Sequence, residues 1–91
     1  MTEYKVTVNE AVEKKLQKMD NAISERLIRL IARMRSTEPG RHLKHGLDFF
    51  VEEEGQYRIV FRFTNQEKRI HFAGDHKEYE KWYRKAAQNG G

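Results

Sequence analysis

Cationic side chains and a histidine alternate with apolar residues along two segments in the second half of the chain, 57–63 and 68–74. Successive side chains of a β-strand point to opposite faces, so every second residue of each segment shares one face. The polar members are Arg58, Arg62, Arg69 and His71. This pattern predicts an exposed cationic sheet face that can bind phosphate, although outward strand positions are commonly polar without any ligand.

The segment 74–83, GDHKEYEKWY, combines imidazole, phenol, ammonium and indole groups. His76 is a candidate for proton transfer, because imidazole titrates near neutral pH. Lys77 is a candidate phosphate contact, and Tyr79 can stack on a nucleobase or donate a proton. His71, on the predicted cationic face, is a second candidate base. The alternative is that this segment is only the exposed, charged first turn of a helix.

The loop PGRHLKHG, residues 39–46, is rich in cationic and titratable side chains. Its two histidines are a weak metal signal, since neither a carboxylate nor a cysteine within the loop completes a zinc site. Contacts to RNA or to an acidic protein are the favoured interpretation for Arg41, Lys44 and His45. We therefore predict neither a metal nor a cofactor.

The composition is that of one small domain, with 91 residues, no cysteine, and 18 Lys and Arg against 14 Asp and Glu. We predict a single domain over residues 1–88 and a flexible tail over 89–91. The net charge of +4 favours a polyanionic partner, either nucleic acid or an acidic protein. No apolar run approaches the roughly 20 residues of a membrane span, so we expect a soluble, cytoplasmic protein without a membrane partner.

Hydrophobic spacing predicts the elements that position these side chains. Alternation in YKVTV, residues 4–8, indicates a strand. Asn9 and then Asp20 or Asn21 can cap two helices, and the turn at STEPG ends the second. The apolar stripes of these helices are Val12, Leu16 and Met19, then Ile23, Leu27, Leu30, Ile31 and Met34. Two helices this close in sequence are expected to pair.

The second half of the chain predicts strands over 47–54, 57–63 and 68–74, then a helix from the Asp75 cap to Ala87. Trp82 and Tyr83 have the helical spacing of residues that pack on a sheet. The whole order is strand, two helices, three strands, helix. We predict an α+β fold in which a small antiparallel sheet of about four strands carries the helix pair on one face. The cationic face is expected to be open to solvent on the other side.

This layout resembles the RelE/ParE toxin superfamily of type II toxin–antitoxin systems over nearly the whole chain. The similarity is carried by LKHGLDFF, YRIVF and GDHKEYE, which occur in the order and spacing of the family's Leu-Lys loop, arginine-bearing strand and final strand. LKHGL and the histidine after the last strand look most like the YoeB and YafQ branches. The resemblance implies a toxin that is neutralised by an acidic antitoxin whose segment wraps around it.

For RelE-like members the resemblance implies cleavage of mRNA on the ribosome, and for ParE-like members inhibition of DNA gyrase. Metal-free RNA cleavage needs a base for the ribose 2′-OH, an acid for the leaving 5′-oxygen and a cation on the phosphate. The resemblance implies that Arg58 supplies the cation and His76 the acid or base. Phe50, Glu52 and Glu54 stand where RelE itself has a lysine-rich strand. Three functions stay open: an mRNA endoribonuclease, which is preferred, a gyrase inhibitor, and an inactive protein that only binds its partner.

Overall fold

Three helices and five strands make up the described part of the chain, which comprises residues 3–38, 41–42 and 49–89 of the computed structural model. In chain order they are β1 (Lys5–Val8), α1 (Glu10–Lys18), α2 (Asn21–Arg33), β2 (Arg41–His42), β3 (Phe50–Glu54), β4 (Tyr57–Thr64), β5 (Glu67–Asp75) and α3 (His76–Asn89). The predicted α+β class and element order are confirmed, and β2 is a short addition. Helix α3 includes the first residue of the predicted tail, while 90–91 lie outside the described residues. None of these helices is long and apolar enough to cross a membrane.

The strands form one mixed sheet in the order β1-β5-β4-β3-β2. Strands β3, β4 and β5 form an antiparallel meander, and β2 extends it at the far edge. Strand β1 runs parallel to β5, with Val8 opposite Ile70. The expectation of an antiparallel sheet is therefore wrong at this edge. Strand β4 pairs with one edge of β5, and β1 pairs with the other edge.

Helices α1 and α2 contribute to a hydrophobic cluster on one face of the sheet. In α1, Asn9 is the N-cap, and its side-chain oxygen accepts a hydrogen bond of 2.9 Å from the backbone N–H of Val12. Every residue of the two predicted apolar stripes lies in or against this cluster. Its buried members are Val12, Leu27, Leu30, Met34, Tyr57, Ile59, Phe61, Ile70 and Ala73. The inward residues of β4 thus follow the alternation expected from the sequence.

Strand β5 departs from simple alternation at His71. Val60 pairs with Phe72 and Phe61 pairs with Ile70, which leaves His71 as an extra residue between two registered pairs. Such a β-bulge places two consecutive side chains on the same face and inverts the alternation beyond it. Ile70 accordingly lies in the cluster to which α1 and α2 contribute, whereas Phe72 packs on the opposite face. Simple alternation predicts that Ile70 and Phe72 share a face, and this prediction is wrong.

Helix α3 packs against the second face of the sheet. The buried residues there are Val51, Val60 and Phe72, and Phe49, Tyr79, Trp82, Tyr83 and Ala86 pack around them. Trp82 and Tyr83 therefore contact the sheet as their spacing predicts. The expectation that this whole face is open to solvent is wrong, because the aromatic side of α3 covers the part that Phe72 occupies. Arg62 and Arg69 remain exposed on the uncovered part.

Lys68 is fully buried at the end of α2, with an exposed fraction of 0 %. Its Nζ donates hydrogen bonds to the carbonyl oxygens of Met34, at 2.8 Å, and Thr37, at 2.5 Å. The same nitrogen lies 4.8 Å from the centre of the Tyr4 ring and 5.5 Å from that of Phe61. The ammonium group thus provides a donor for the carbonyl of Met34, the C-cap of α2, and for that of Thr37 in the following turn. Burial lowers the pKa of Lys68, against the opposing effect of Glu52 and then Glu38.

We expect Lys68→Met to lower the free energy of unfolding by about 2–3 kcal/mol, since hydrogen bonds to charged groups are worth roughly 1.5–3 kcal/mol. Methionine fills the same apolar path but leaves the carbonyls of Met34 and Thr37 without a donor. Urea denaturation followed by circular dichroism measures the change. Lys18→Met, at an exposed position of α1, is the matched control. An unchanged denaturation midpoint for Lys68→Met would show that the buried ammonium group contributes nothing.

The lowered pKa of Lys68 should make the stability of the protein depend on pH. This pKa is lower in the folded protein than in the unfolded chain, where the pKa of the side chain is near its ordinary value of 10.5. Between these two values the unfolded chain binds more protons, so the contribution of Lys68 to the free energy of unfolding rises with pH. The difference in stability between wild type and Lys68→Met should therefore grow as the pH approaches 10.5. A difference that stays constant would contradict this linkage.

Candidate functional site

An open pocket of about 330 Å³ lies beside the turn that joins β4 to β5. Asn65 and Gln66 in this turn have φ angles of 51° and 63°, and a two-residue type I′ hairpin turn needs positive φ at both positions. The turn places Arg62 and Arg69 directly opposite each other on the two strands. The pocket is lined by Arg62, Thr64, Asn65, Glu67, Arg69 and His71. Three of the four residues of the predicted cationic face are thus brought together here.

The two arginines of this pocket are not neutralised by the rest of the described chain. The Arg62 guanidinium lies 4.9 Å from the centre of the Phe49 ring, a cation–π contact. Among the described residues, no carboxylate forms a salt bridge with Arg62 or Arg69. The pocket's own carboxylate, that of Glu67, accepts a hydrogen bond of 2.8 Å from the hydroxyl of Thr7 on β1. The pocket therefore has a net positive charge.

His71 lies against the pocket as the bulge residue of β5. Its ring meets the edge of Phe49 at 5.5 Å between ring centres. Its Nε2 is buried and makes no hydrogen bond within the described part of the chain. Burial lowers the pKa of His71 most, and the positive charges of Arg62 and Arg69 lower it further. The neutral imidazole is favoured as long as no negative charge enters the pocket.

Arg58 lies at the opposite end of β4, beside the turn that joins it to β3. Its Nη1 donates to the carbonyl oxygens of Gly55, at 2.9 Å, and Tyr57, at 3.1 Å. Its Nε lies 3.5 Å from a carboxylate oxygen of Glu53, the residue opposite it on β3. Within the described residues, Nη2 has no partner. The guanidinium is thus held in place from one side, with one terminal nitrogen left for a ligand.

The acidic run of β3 is divided between the two faces of the sheet. Glu53 pairs with Arg58, as described, while Glu54 lies 3.7 Å from Arg33 of α2. Glu52 acts on the buried Lys68 through its charge. These three carboxylates therefore pair with, or act on, basic residues of this chain.

The start of α3 is fixed by a reciprocal pair of hydrogen bonds. The Asp75 carboxylate accepts from the backbone N–H of Glu78 at 2.9 Å, and the Glu78 carboxylate accepts from the N–H of Asp75 at 3.2 Å. This is a capping box, and it confirms the predicted cap. His76 and Lys77 are the first two residues of the helix and are exposed. Both side chains thus project from a well-defined helix start.

The sheet register separates the candidate residues into two groups. Arg58 pairs with Gly74, two residues before His76, so these groups lie at the same end of the sheet. Arg62 is four residues further along β4, roughly 13 Å at the usual rise of a strand. Arg62 shares the predicted cationic face with Arg58 but is therefore not close to Arg58 and His76. His71 belongs with Arg62 and Arg69, at the other end.

The remaining candidate residues are Tyr79 and three residues of the segment 39–46. Tyr79 is half-buried among aromatic rings, with ring centres 6.4 Å from Phe72 and 6.3 Å from Trp82. The backbone of Arg41 pairs with Val51, whereas the predicted RNA contacts Lys44 and His45 lie outside the described residues.

Sequence reasoning overlooked Phe49, Thr64, Asn65 and Glu67 as neighbours of the cationic group. The TNQE turn indicated a hairpin there but not a pocket. Within the described residues, no three His, Asp or Glu side chains cluster as metal ligands.

Comparison with known proteins gives a match in structure but not in sequence. No protein-family model matches the chain, and no curated protein matches it. The toxin–antitoxin complex RelBE2 from Mycobacterium tuberculosis contains a chain that is 18% identical, with a TM-score of 0.71 over 82% of this chain and 93% of that one. A free mutant of the E. coli toxin RelE is 15% identical, with a TM-score of 0.71 over 90% of this chain and 93% of that one.

The chain has the RelE/ParE toxin fold. A third RelE structure, in the archaeal RelE–RelB complex from Pyrococcus horikoshii, is 18% identical and matches 84% of this chain and 97% of that one with a TM-score of 0.61. At this level of identity the correspondence concerns the fold alone. The resemblance predicted from the sequence motifs is thereby confirmed at the level of structure.

Proposed function

We propose that this chain is the toxin of a type II toxin–antitoxin system and that it cleaves mRNA on the ribosome without a metal ion. The observation that carries the proposal is the RelE fold, which extends over 82% of this chain in one comparison and 90% in another. Because the likeness spans most of the chain, it supports a toxin function for the chain as a whole.

In the proposed reaction the ribose 2′-oxygen attacks the neighbouring phosphorus, and the bond from phosphorus to the 5′-oxygen breaks. A base removes the proton of the 2′-OH, and an acid protonates the leaving 5′-oxygen. Arg58 would hold the phosphate through Nη2, because its other nitrogens are engaged with Glu53 and Gly55. His76 would transfer one of the two protons, because it is exposed at the same end of the sheet.

The first turn of α3 suits this role for electrostatic reasons. The N-terminus of a helix carries a partial positive charge, which favours an anion such as the scissile phosphate. Lys77, exposed beside His76, adds a full positive charge. His71 and Tyr79 remain second candidates for proton transfer. We place His71 lower because it groups with Arg62 and Arg69, and Tyr79 because it packs among aromatic rings.

An acidic antitoxin protein is the proposed partner that silences this activity. The RelE chains from M. tuberculosis and P. horikoshii are each seen in a complex with an antitoxin. This chain has an excess of basic residues, 18 against 14 acidic ones, and basic surfaces attract acidic partners. The ribosome and mRNA are the further partners that the proposed activity requires.

Primer extension on cellular mRNA after brief induction tests the proposal. We expect new 5′ ends within translated regions, at defined positions relative to the codons. Co-expression of a cognate acidic antitoxin should remove both the cuts and the growth arrest. Growth arrest without mRNA cuts but with trapped gyrase–DNA complexes would replace the nuclease by a gyrase inhibitor. No arrest and no cuts would leave a protein that only binds its partner.

A further inference from the structure

The pocket beside the β4–β5 turn contains a repulsion that the described chain does not relieve. Arg62 and Arg69 are direct cross-strand partners, and like charges in this arrangement destabilise a sheet. No carboxylate of the described residues pairs with either guanidinium. The unfavourable pair is instead held in place by the tight turn and by the contact between Arg62 and Phe49. A bound anion would remove the repulsion.

We propose that this pocket binds one phosphodiester group of an RNA strand, held between the guanidinium groups of Arg62 and Arg69. Two guanidinium groups offer forked pairs of donors, which match the oxygens of a phosphate. A volume of about 330 Å³ is larger than a phosphate needs and leaves room for the attached sugar. Thr64 and Asn65 line the pocket and provide polar groups for the oxygen atoms of this sugar.

The pocket is a binding position and not part of the cleavage site. It lies roughly 13 Å along β4 from Arg58, about two nucleotide spacings of an extended strand. A strand whose scissile phosphate is at Arg58 would thus place another phosphate here. The choice of RNA as the ligand rests on the proposed function, whereas the anion site itself does not.

His71 couples this site to pH. The charged groups around its ring are Arg62 on β4 and Arg69 and Glu67 on β5, and Phe49, which packs on the ring, is uncharged. A bound phosphate neutralises the arginines that disfavour the imidazolium, so binding raises the pKa of His71 and takes up a proton. RNA affinity should therefore rise as the pH falls from about 7.5 to about 5.5, the range in which imidazole titrates. In His71→Gln this rise should be smaller.

The decisive measurement is the salt dependence of binding to a short 2′-O-methyl RNA, which lacks the 2′-OH needed for cleavage. We expect Arg62→Gln/Arg69→Gln to weaken binding about tenfold to a hundredfold, as for lost hydrogen bonds to a charged group. Each phosphate neutralised on a single strand contributes about 0.7 to the slope of log affinity against log salt. One shared phosphate predicts a slope smaller by about 0.7 in the double variant, and two separate phosphates predict about 1.4.

Arg29→Gln/Arg35→Gln is the matched control, because both residues are exposed on or just after α2 and the variant loses the same charge. We expect it to keep the wild-type slope. Equal losses in the two double variants would mean that only net charge matters, and a loss of about 1.4 in slope would refute a single shared phosphate. Either result overturns the proposal.

Removing the arginine pair should lower RNA affinity without lowering the thermal stability of the protein. Arg62→Gln/Arg69→Gln abolishes the cross-strand repulsion, so its thermal midpoint should equal or exceed that of the wild type while its RNA affinity falls. Sodium sulfate should stabilise the wild type more than this variant, since an anion that binds the folded state adds to stability. Equal stabilisation of both proteins by sulfate would count against an anion site.

Two further experiments distinguish RNA from an acidic protein as the ligand of this pocket, and the pocket proposal from the proposed function. The side-chain Nε–Hε NMR signals of Arg62 and Arg69 should shift on addition of inorganic phosphate, while that of Arg29 should not. If an oligo-glutamate peptide shifts them and RNA does not, the occupant is an acidic protein and the RNA assignment is wrong. If no mRNA cuts appear in cells but RNA binding still depends on Arg62 and Arg69, the proposed function is wrong and the phosphate-binding proposal stands. If mRNA is cut in cells but RNA binding does not depend on Arg62 and Arg69, the phosphate-binding proposal is wrong and the proposed function stands.

Discussion

Replacing His76 by alanine is expected to slow mRNA cleavage on the ribosome about 10²–10⁴-fold, the usual contribution of a general acid or base. The variant should remain folded, because the capping box of α3 uses Asp75 and Glu78 and not the imidazole. The exposed position of His76 leaves no cavity when the ring is removed. Single-turnover cleavage with purified ribosomes and excess toxin measures the chemical step apart from product release.

A comparison with Lys77→Gln distinguishes proton transfer from phosphate binding at the start of α3. Loss of a phosphate contact should raise the toxin concentration needed for half-maximal cleavage and leave the saturated rate nearly unchanged. Loss of His76 should lower the saturated rate itself. Wild-type cleavage by His76→Ala would exclude it as the proton-transfer group, and His71→Gln and Tyr79→Phe would be tested next.

The order of the elements other than the two-residue β2 could be predicted because each of them has a clear local signal. The stripe from Ile23 to Met34 has helical spacing over several turns, and 57–63 alternates without interruption. Asn9 and Asp75 precede their helices and cap them as expected. These signals depend only on residues near in sequence, so tertiary packing did not override them.

The faces of β5 could not be predicted, because a bulge leaves no local mark in the sequence. KRIHFAG alternates as well as a regular strand does, yet the extra residue at His71 moves Phe72 to the other face. The bulge depends on how β5 registers against β4, which is a property of two strands. Phe72 then gives Trp82 of α3 an apolar surface to cover. One undetected residue thus produced the wrong expectation of an open face.

The charged residues on this sheet face were predicted better than their arrangement. Arginine and histidine were correctly expected on one face, but their division into two groups follows from cross-strand pairing. Glu53 is opposite Arg58 because the turn at Gly55, which has a φ of 59°, sets the β3–β4 register. The run EEE alone does not tell which carboxylate pairs with which arginine. Charge patterns in a sequence therefore predict which sheet face carries cations more reliably than which charged groups meet on it.

Arg58→Ala is expected to raise the barrier to cleavage by about 2.7–4 kcal/mol, by analogy with the loss of one donor to a developing oxyanion. Negative charge builds on the phosphate oxygens in the transition state, so the saturated rate should fall about 10²–10³-fold. Arg58→Lys keeps the charge but loses the planar fork that contacts Glu53, Gly55 and a phosphate together. We therefore expect lysine to restore only a small part of the rate.

Glu53→Gln separates the positioning of Arg58 from its direct contact with the substrate. The carboxylate lies 3.5 Å from Nε and holds the guanidinium from the side away from the proposed phosphate. Its loss should reduce the rate less than Arg58→Ala does, and should have little further effect in the Arg58→Ala background, because both changes act through one group. Circular dichroism and binding of the antitoxin confirm that each variant is folded. If Arg58→Ala is folded and cleaves at the wild-type rate, the guanidinium does not stabilise the transition state, and the scissile phosphate must lie elsewhere on the sheet.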